Sequence, residues 1–178
     1  TFVQIREKEA SYDEFKRIAL DVKKVTDKYN VPMIINDNVE LAKDIDADGV
    51  HVGGDDMSVA NARKILGNNK IIGATARTYE RAVTAVSQGA DYLGIGAMFD
   101  TSTKSGTTHM TKELSNKITS YADIPVVGIG GINSENIMSL EGYGIDGVAV
   151  VSAIFKSEDI EKSAKIMKEK ASKIVRES

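Results

Sequence analysis

The chain has no cysteine and only two histidines among its 178 residues. Without thiols it can build neither a disulfide framework nor a thiolate nucleophile or metal site, so any metal must be held by oxygen or imidazole. No apolar run approaches the roughly 20 residues of a membrane helix. No charged-then-apolar export signal opens the chain, and the expectation is a cytoplasmic protein with no membrane partner. Cations are not in excess either: a net charge of −3 leaves no broad basic face for nucleic acid. Anions must then be bound locally or through a divalent cation. The only two prolines, Pro32 and Pro125, each precede a strand-like run and mark no linker. What is present, 42% hydrophobic and 28% charged residues, suits one compact domain with a sizeable core, expected to span residues 1–178.

Seven short runs rich in Val, Ile and Gly recur: TFVQIR, VPMIIND, GVHVG, KIIGAT, YLGIGAMF, IPVVGIGG and GVAVVSAIF. Each reads as a strand buried on both faces, as in a parallel sheet. Helical spacing separates them. Tyr12, Phe15, Ile18, Ala19, Val22 and Val25 fall on one stripe, and TYERAVTAVSQG closes on Gly89. Strand then helix, repeated, is the βα grammar of an α/β fold. Asp48, Asp91 and Asp146 each stand just before a strand; strand beginnings belong to the stability face of such folds, so they are expected to cap turns. Seven strands are one short of a (β/α)8 TIM barrel. Barrel phosphate sites commonly use the loops after strands 7 and 8, and GIGGIN and VVSAIF end the last two runs here. The expectation is therefore a TIM barrel represented by strands 2 to 8, its first strand and helix absent from this sequence. An open flavodoxin-like sheet is the alternative; it leaves the clustering of anion signals at the end unexplained.

Side chains two apart on a strand share a face, so Gln4, Arg6 and Lys8 project together, opposite Ile5 and Glu7. A guanidinium beside an ammonium suits a phosphate or diphosphate. The second run ends in Asn36 and Asp37, and Asp55 and Asp56 follow the third. Carboxylates from adjacent strand ends can share Mg²⁺, which takes one or two of them plus waters and phosphate oxygens. Helix capping competes for Asp55 and Asp56, because DDMSVANARKIL starts a helix; one is expected as ligand and the other as cap. The hydroxyl-rich loop FDTSTKSGTT can cradle an anion with Lys104 as its point charge. In VVGIGGIN, followed by a helix starting at NSENI, bare backbone amides can bind phosphate, and Ser152 can add a hydroxyl. The glycine spacing is not that of a dinucleotide site. His51 reads as a satisfied barrel residue rather than a base, and His109 as incidental.

In combination and in order, QIREK, IINDNV, ADGVHVGGDDM, IIGAT, ADYLGIGAMF, TSTK, IPVVGIGGI and DGVAVVSAIF resemble the thiamine phosphate synthase family and span nearly the whole chain. The resemblance implies a (β/α)8 barrel. It also implies a Mg²⁺-dependent transferase that joins hydroxymethylpyrimidine diphosphate to a thiazole phosphate and releases diphosphate. It implies that Gln4, Arg6, Lys8, Asn36, Thr75 and Lys104 hold the pyrimidine diphosphate, with Arg6, Lys8 and Lys104 carrying catalysis. Asp37 and Asp56 would bind the metal. Thr101, Ser102, Thr103, Gly131, Val151 and Ser152 would bind the thiazole phosphate. Gly54, Thr75 and Ala97 depart from the family's usual glutamine, serine and proline. The alternatives are a thiazole tautomerase, for which GATARTY lacks the expected histidine, and a catalytically silent phosphate-binding barrel. The partners implied are small molecules, with room for a homo-oligomer.

Overall fold

The computed structural model describes residues 2–54, 56–100 and 109–175. Strands and helices alternate as β1 (Val3–Ile5), α1 (Tyr12–Lys28), β2 (Met33–Asn36), α2 (Val39–Asp44), β3 (Gly49–Val52), α3 (Val59–Leu66), β4 (Ile71–Thr75), α4 (Tyr79–Ser87), β5 (Tyr92–Ile95), α5 (Lys112–Tyr121) and β6 (Val126–Ile129). A 3₁₀ turn (Ile137–Leu140), β7 (Gly147–Ala149), α6 (Ser152–Phe155) and α7 (Ile160–Ile174) follow. The chain falls into two compact units, Thr1–Thr75 with Thr84–Asp91, and Ala76–Val83 with Tyr92–Ser178.

In the first unit β1 to β4 pair in parallel, with Gln4 beside Ile34, Asn36 beside His51, and His51 beside Gly73. The sequence explains the order: β2 and β3 are almost wholly buried, their apolar residues facing both sides, as parallel strands covered by helices require. On α1 the buried stripe runs through Phe15, Ala19 and Thr26, with Ile18 and Val22 half-buried. The expected Tyr12 and Val25 face solvent instead, because a period of 3.6 carries the stripe from position 22 to 26. In the second unit β5, β6 and β7 pair in parallel, with Gly128 beside Val148 and Ile129 beside Ala149. Fully buried Leu93, Ile95, Ile118, Ile137, Leu140 and Ile145 fill it.

The helices begin where the sequence offers an N-cap. Ser11, Asn38, Ser58, Thr111 and Asp159 each accept the N–H three residues on, satisfying a donor that the first turn leaves open. Three expectations change. Ser58, not Asp55 or Asp56, caps α3. The run VVSAIF does not continue as strand: Ser152–Phe155 is helical, with Ile154 and Phe155 N–H donating to the Val151 carbonyl; periodicity cannot separate strand from helix in so short an apolar run. NSENI starts no α-helix, because Asn133 Oδ1 accepts the Glu135 and Asn136 N–H groups and leaves only a 3₁₀ turn.

Candidate active site

In the first unit the C-terminal ends of β1, β2 and β3 bring together the polar residues singled out in the sequence. Val3 and Ile5 are half-buried and Gln4 between them exposed, the alternation of a strand. β1 ends at Ile5, so Arg6 and Lys8, expected to continue that polar face, lie beyond the strand, where Arg6, Glu7, Lys8 and Glu9 are all exposed. The turn after Arg6 is set by Glu7, whose Oε1 accepts the N–H of Lys8 at 2.7 Å and of Glu9 at 3.0 Å. Those backbone donors, Glu9's first, hold the Glu7 carboxyl below the usual carboxylate range.

Asp37 follows β2 with φ +63°, a left-handed conformation that Asp and Asn tolerate better than other side-chain-bearing residues. Its N–H donates to the His51 carbonyl at 2.8 Å, and Asn38 beside it caps α2. Lys8 Nζ lies 3.9 Å from Asp37 Oδ2. Asp56 Oδ2 accepts the Gly53 N–H at 2.8 Å. A Cβ on Gly53 would stand 2.5 Å from Asp56 Oδ2 and, at ordinary contact, 3.9 Å from Asp37 Oδ1, so both carboxylates come close to Gly53 and a side chain there would displace that of Asp56. Burial raises the Asp37 carboxyl above its ordinary range, and the hydrogen bond and charge of Asp56 push the same way; Lys8 and Arg6 pull it down without cancelling. Two carboxylates repelling each other at the edge of the fold, with cations alongside, form a donor set suited to a hard divalent ion that keeps several waters. Among the described residues no group of three or more His, Asp or Glu gathers to hold a metal.

A cavity of ≈ 530 Å³ adjoins this pair, lined by Asn36, Asp37, Asp56, Glu7, Tyr12 and Phe15 among others. Glu7 is on its wall and Arg6 and Lys8 are not among the residues lining it. Thr75 ends β4, and its hydroxyl meets the ring of buried His51, Nε2 to Oγ1 2.9 Å. Sequence reasoning missed that contact, and it missed Gly53, whose one signal was a glycine between a strand and a carboxylate.

In the second unit the ends of β6 and β7 are neighbours. Gly130 and Gly131 have φ +102° and +68°. A Cβ on Gly131 would collide with the Asp100 carbonyl oxygen, so only glycine fits. Val151 and Ser152 follow β7, both exposed. Phe99 N–H donates to the Gly130 carbonyl and Met110 N–H to the Ala97 carbonyl, and His109 Nε2 is 3.0 Å from Asp100 Oδ1. The residues flanking 101–108 are thereby anchored beside the glycine turn. Thr101, Ser102, Thr103 and Lys104, like Asp55, lie outside the described residues.

A model of the thiamine monophosphate synthase family matches residues 1–154. The chain belongs to that family. Among thiamine-phosphate synthases, that of Ruminiclostridium cellulolyticum is 52% identical over 164 residues, 92% of this chain and 78% of the relative. That of Clostridium botulinum is 48% identical over 174 residues, 98% of this chain and 82% of the relative. The solved thiamine phosphate pyrophosphorylase of Pyrococcus furiosus superposes with a TM-score of 0.87 at 35% identity, covering 97% of this chain and 83% of that one. These matches favour neither the tautomerase nor the silent barrel. Among the described residues no helix is long and apolar enough to cross a membrane.

Proposed function

We propose that the chain is a transferase that joins 4-amino-2-methyl-5-hydroxymethylpyrimidine diphosphate to 4-methyl-5-(2-phosphoethyl)thiazole, giving thiamine phosphate and diphosphate. The observation that carries this reading is the convergence of Asp37 and Asp56 at Gly53, with Lys8 3.9 Å from Asp37, in a chain of this family. Arg6 and Lys8 grip the diphosphate, with Gln4 and Asn36 beside them on adjoining strand ends and Thr75 against the pyrimidine. Asp37 and Asp56 would hold Mg²⁺, which when bound neutralises charge on the diphosphate oxygens. The pyrimidine methylene sheds diphosphate to leave a cation delocalised by its aminopyrimidine ring, and the thiazole nitrogen then captures that carbon. Neither step needs an enzymic nucleophile or base, which accords with a chain that has no cysteine and two histidines. What the side chains supply is stabilisation of the departing charge and placement of the second substrate. Gly131, Val151 and Ser152 take the thiazole's phosphate, with Thr101, Ser102 and Thr103 against that substrate and Lys104 on the diphosphate.

The fold reading goes with it: a single (β/α)8 domain in which β1 to β7 are strands 2 to 8. The similarity to the P. furiosus enzyme over 97% of the chain and the placing of glycine and hydroxyl residues after the last two strands support it. The direct test combines the protein, Mg²⁺ and both phosphorylated heterocycles, with mass spectrometry for thiamine phosphate. Product is expected, and its absence from a folded preparation would overturn the proposal. Arg6→Ala and Asp56→Asn should each lower kcat/KM by about 10² or more with an unchanged circular dichroism spectrum; the asparagine retains an acceptor for the Gly53 N–H.

A further inference from the structure

We infer that His51 is a positioning residue, holding the Thr75 hydroxyl in one orientation for the pyrimidine substrate. The inference rests on the role proposed for Thr75. In the parallel register Asn36 stands beside His51 and His51 beside Gly73, so these residues and Thr75, two beyond Gly73, share one face of the sheet. Gly73 presents no side chain, and the His51 ring reaches past it to place Nε2 2.9 Å from Thr75 Oγ1. His51 is 9% exposed and Thr75 half-buried, so a buried histidine backs a hydroxyl at the strand's C-terminal end. A threonine has one hydroxyl and one methyl on its β-carbon, and its preferred rotamers exchange their places. A fixed Oγ1 therefore also fixes where the methyl points. The ring does more than select the rotamer. With hydrogen on Nε2 it donates, and Thr75 is left to donate its own proton to a ring nitrogen of the substrate. With Nε2 bare, Thr75 donates to the ring and offers lone pairs to the substrate's amino group. Either way the imidazole decides whether Thr75 reads an acceptor or a donor.

The test is a double-mutant cycle on the whole chain with both substrates. Asparagine at 51 keeps a polar group near Nδ1 and withdraws the one at Nε2, whereas glutamine places its terminal amide near Nε2. Expected are a fall of about tenfold in kcat/KM for Thr75→Val and for His51→Asn. The double variant should be no worse than the poorer single, His51→Gln should recover most of the loss, and KM should rise for the pyrimidine diphosphate alone. A structural role for the ring would lower the melting temperature without that one-substrate effect. If Thr75→Val is impaired while His51→Asn matches wild type, or if the two losses multiply, the inference is overturned and the proposed function stands. If Thr75→Val matches wild type, the pyrimidine contact itself is wrong and the inference falls with it. All variants are compared by melting temperature; should His51→Asn not fold, the glutamine variant carries the cycle, expected to show its residual loss only when Thr75 is present.

Discussion

Asp37 concentrates the chemistry of the first unit in one residue. Its backbone is left-handed at φ +63°, its carboxyl is raised by burial and by Asp56, and Lys8 stands 3.9 Å away. A carboxyl raised on folding makes the folded state the better proton binder. Its contribution to stability is complete below the unfolded value of about 3.9 and is lost as pH rises through the higher folded value. The metal-free protein is therefore expected to lose melting temperature across that window, and Asp37→Asn to flatten the loss, since asparagine accepts the same backbone conformation and carries no charge. The variant should be at least as stable as wild type without metal, yet gain nothing from Mg²⁺. Melting curves from pH 4 to 8 with and without Mg²⁺ check both statements; a variant that melts well below wild type at neutral pH would refute the repulsion. Mg²⁺ binding requires both carboxylates ionised, so its stabilising effect should fade as pH drops through the raised Asp37 value. Asp37 was visible in the sequence as a strand-end carboxylate beside an asparagine. Its raised affinity for protons was not, because that depends first on burial and then on Asp56, nineteen positions away by their numbers, arriving beside it.

At the scale of elements, the three aspartates that precede β3, β5 and β7 share one device. Asp48 Oδ2 accepts the Met33 N–H at 2.7 Å, Asp91 Oδ2 that of Ile72 at 2.6 Å, and Asp146 Oδ2 that of Val126 at 2.7 Å. Each aspartate's own N–H donates back to the carbonyl of the same residue, so alternate strands are pinned at their beginnings by a reciprocal pair of bonds. Replacing one by alanine strands a buried amide, which costs about 1–3 kcal/mol, while activity per folded molecule should hold because these ends bear no proposed site residue. Asp91→Ala should cost more than Asp48→Ala, since Arg63 also binds Asp91 Oδ2 at 2.6 Å and would lose that ion pair while keeping its bonds to the Gly67, Lys70 and Gly89 carbonyls. Urea titrations and specific activity of the three variants measure this, and a lost activity at unchanged stability would contradict it. The echo of Asp before Gly or Tyr at these places was plain in the sequence as a repeat, and its placing at strand beginnings followed from the βα order. The partner was not legible, because the accepted N–H belongs to the previous strand, whose register only the folded sheet sets. The same limit explains the end of GVAVVSAIF, where apolar residues leave the ladder for a helical turn that local pattern could not announce.

For the whole molecule, binding and stability are linked. A ligand that binds only the folded chain adds about 2.7 kcal/mol at one hundred times its dissociation constant. For a chain of this length each kcal/mol shifts the melting temperature by about 2–4 °C. Mg²⁺ with inorganic diphosphate should therefore raise it by roughly 5–10 °C. Arg6→Ala should abolish most of that rise, and equal shifts in variant and wild type would count against the grip on diphosphate. The sequence by itself determined the chemistry that was excluded, the alternation of seven strands with helical segments, the starts of α1 and α4, and which strand ends carry charge or glycine. These are local properties: periodicity follows from backbone geometry, caps from side chains three residues from their donors, and exclusions from the absence of thiols. Only the tertiary structure decided that Asp56 and Asp37 meet beside Gly53, that Ser58 frees Asp56 from capping, and that His51 backs Thr75. Those relations join residues from different strands, and their distances are set by sheet register and close packing, which no window of sequence contains.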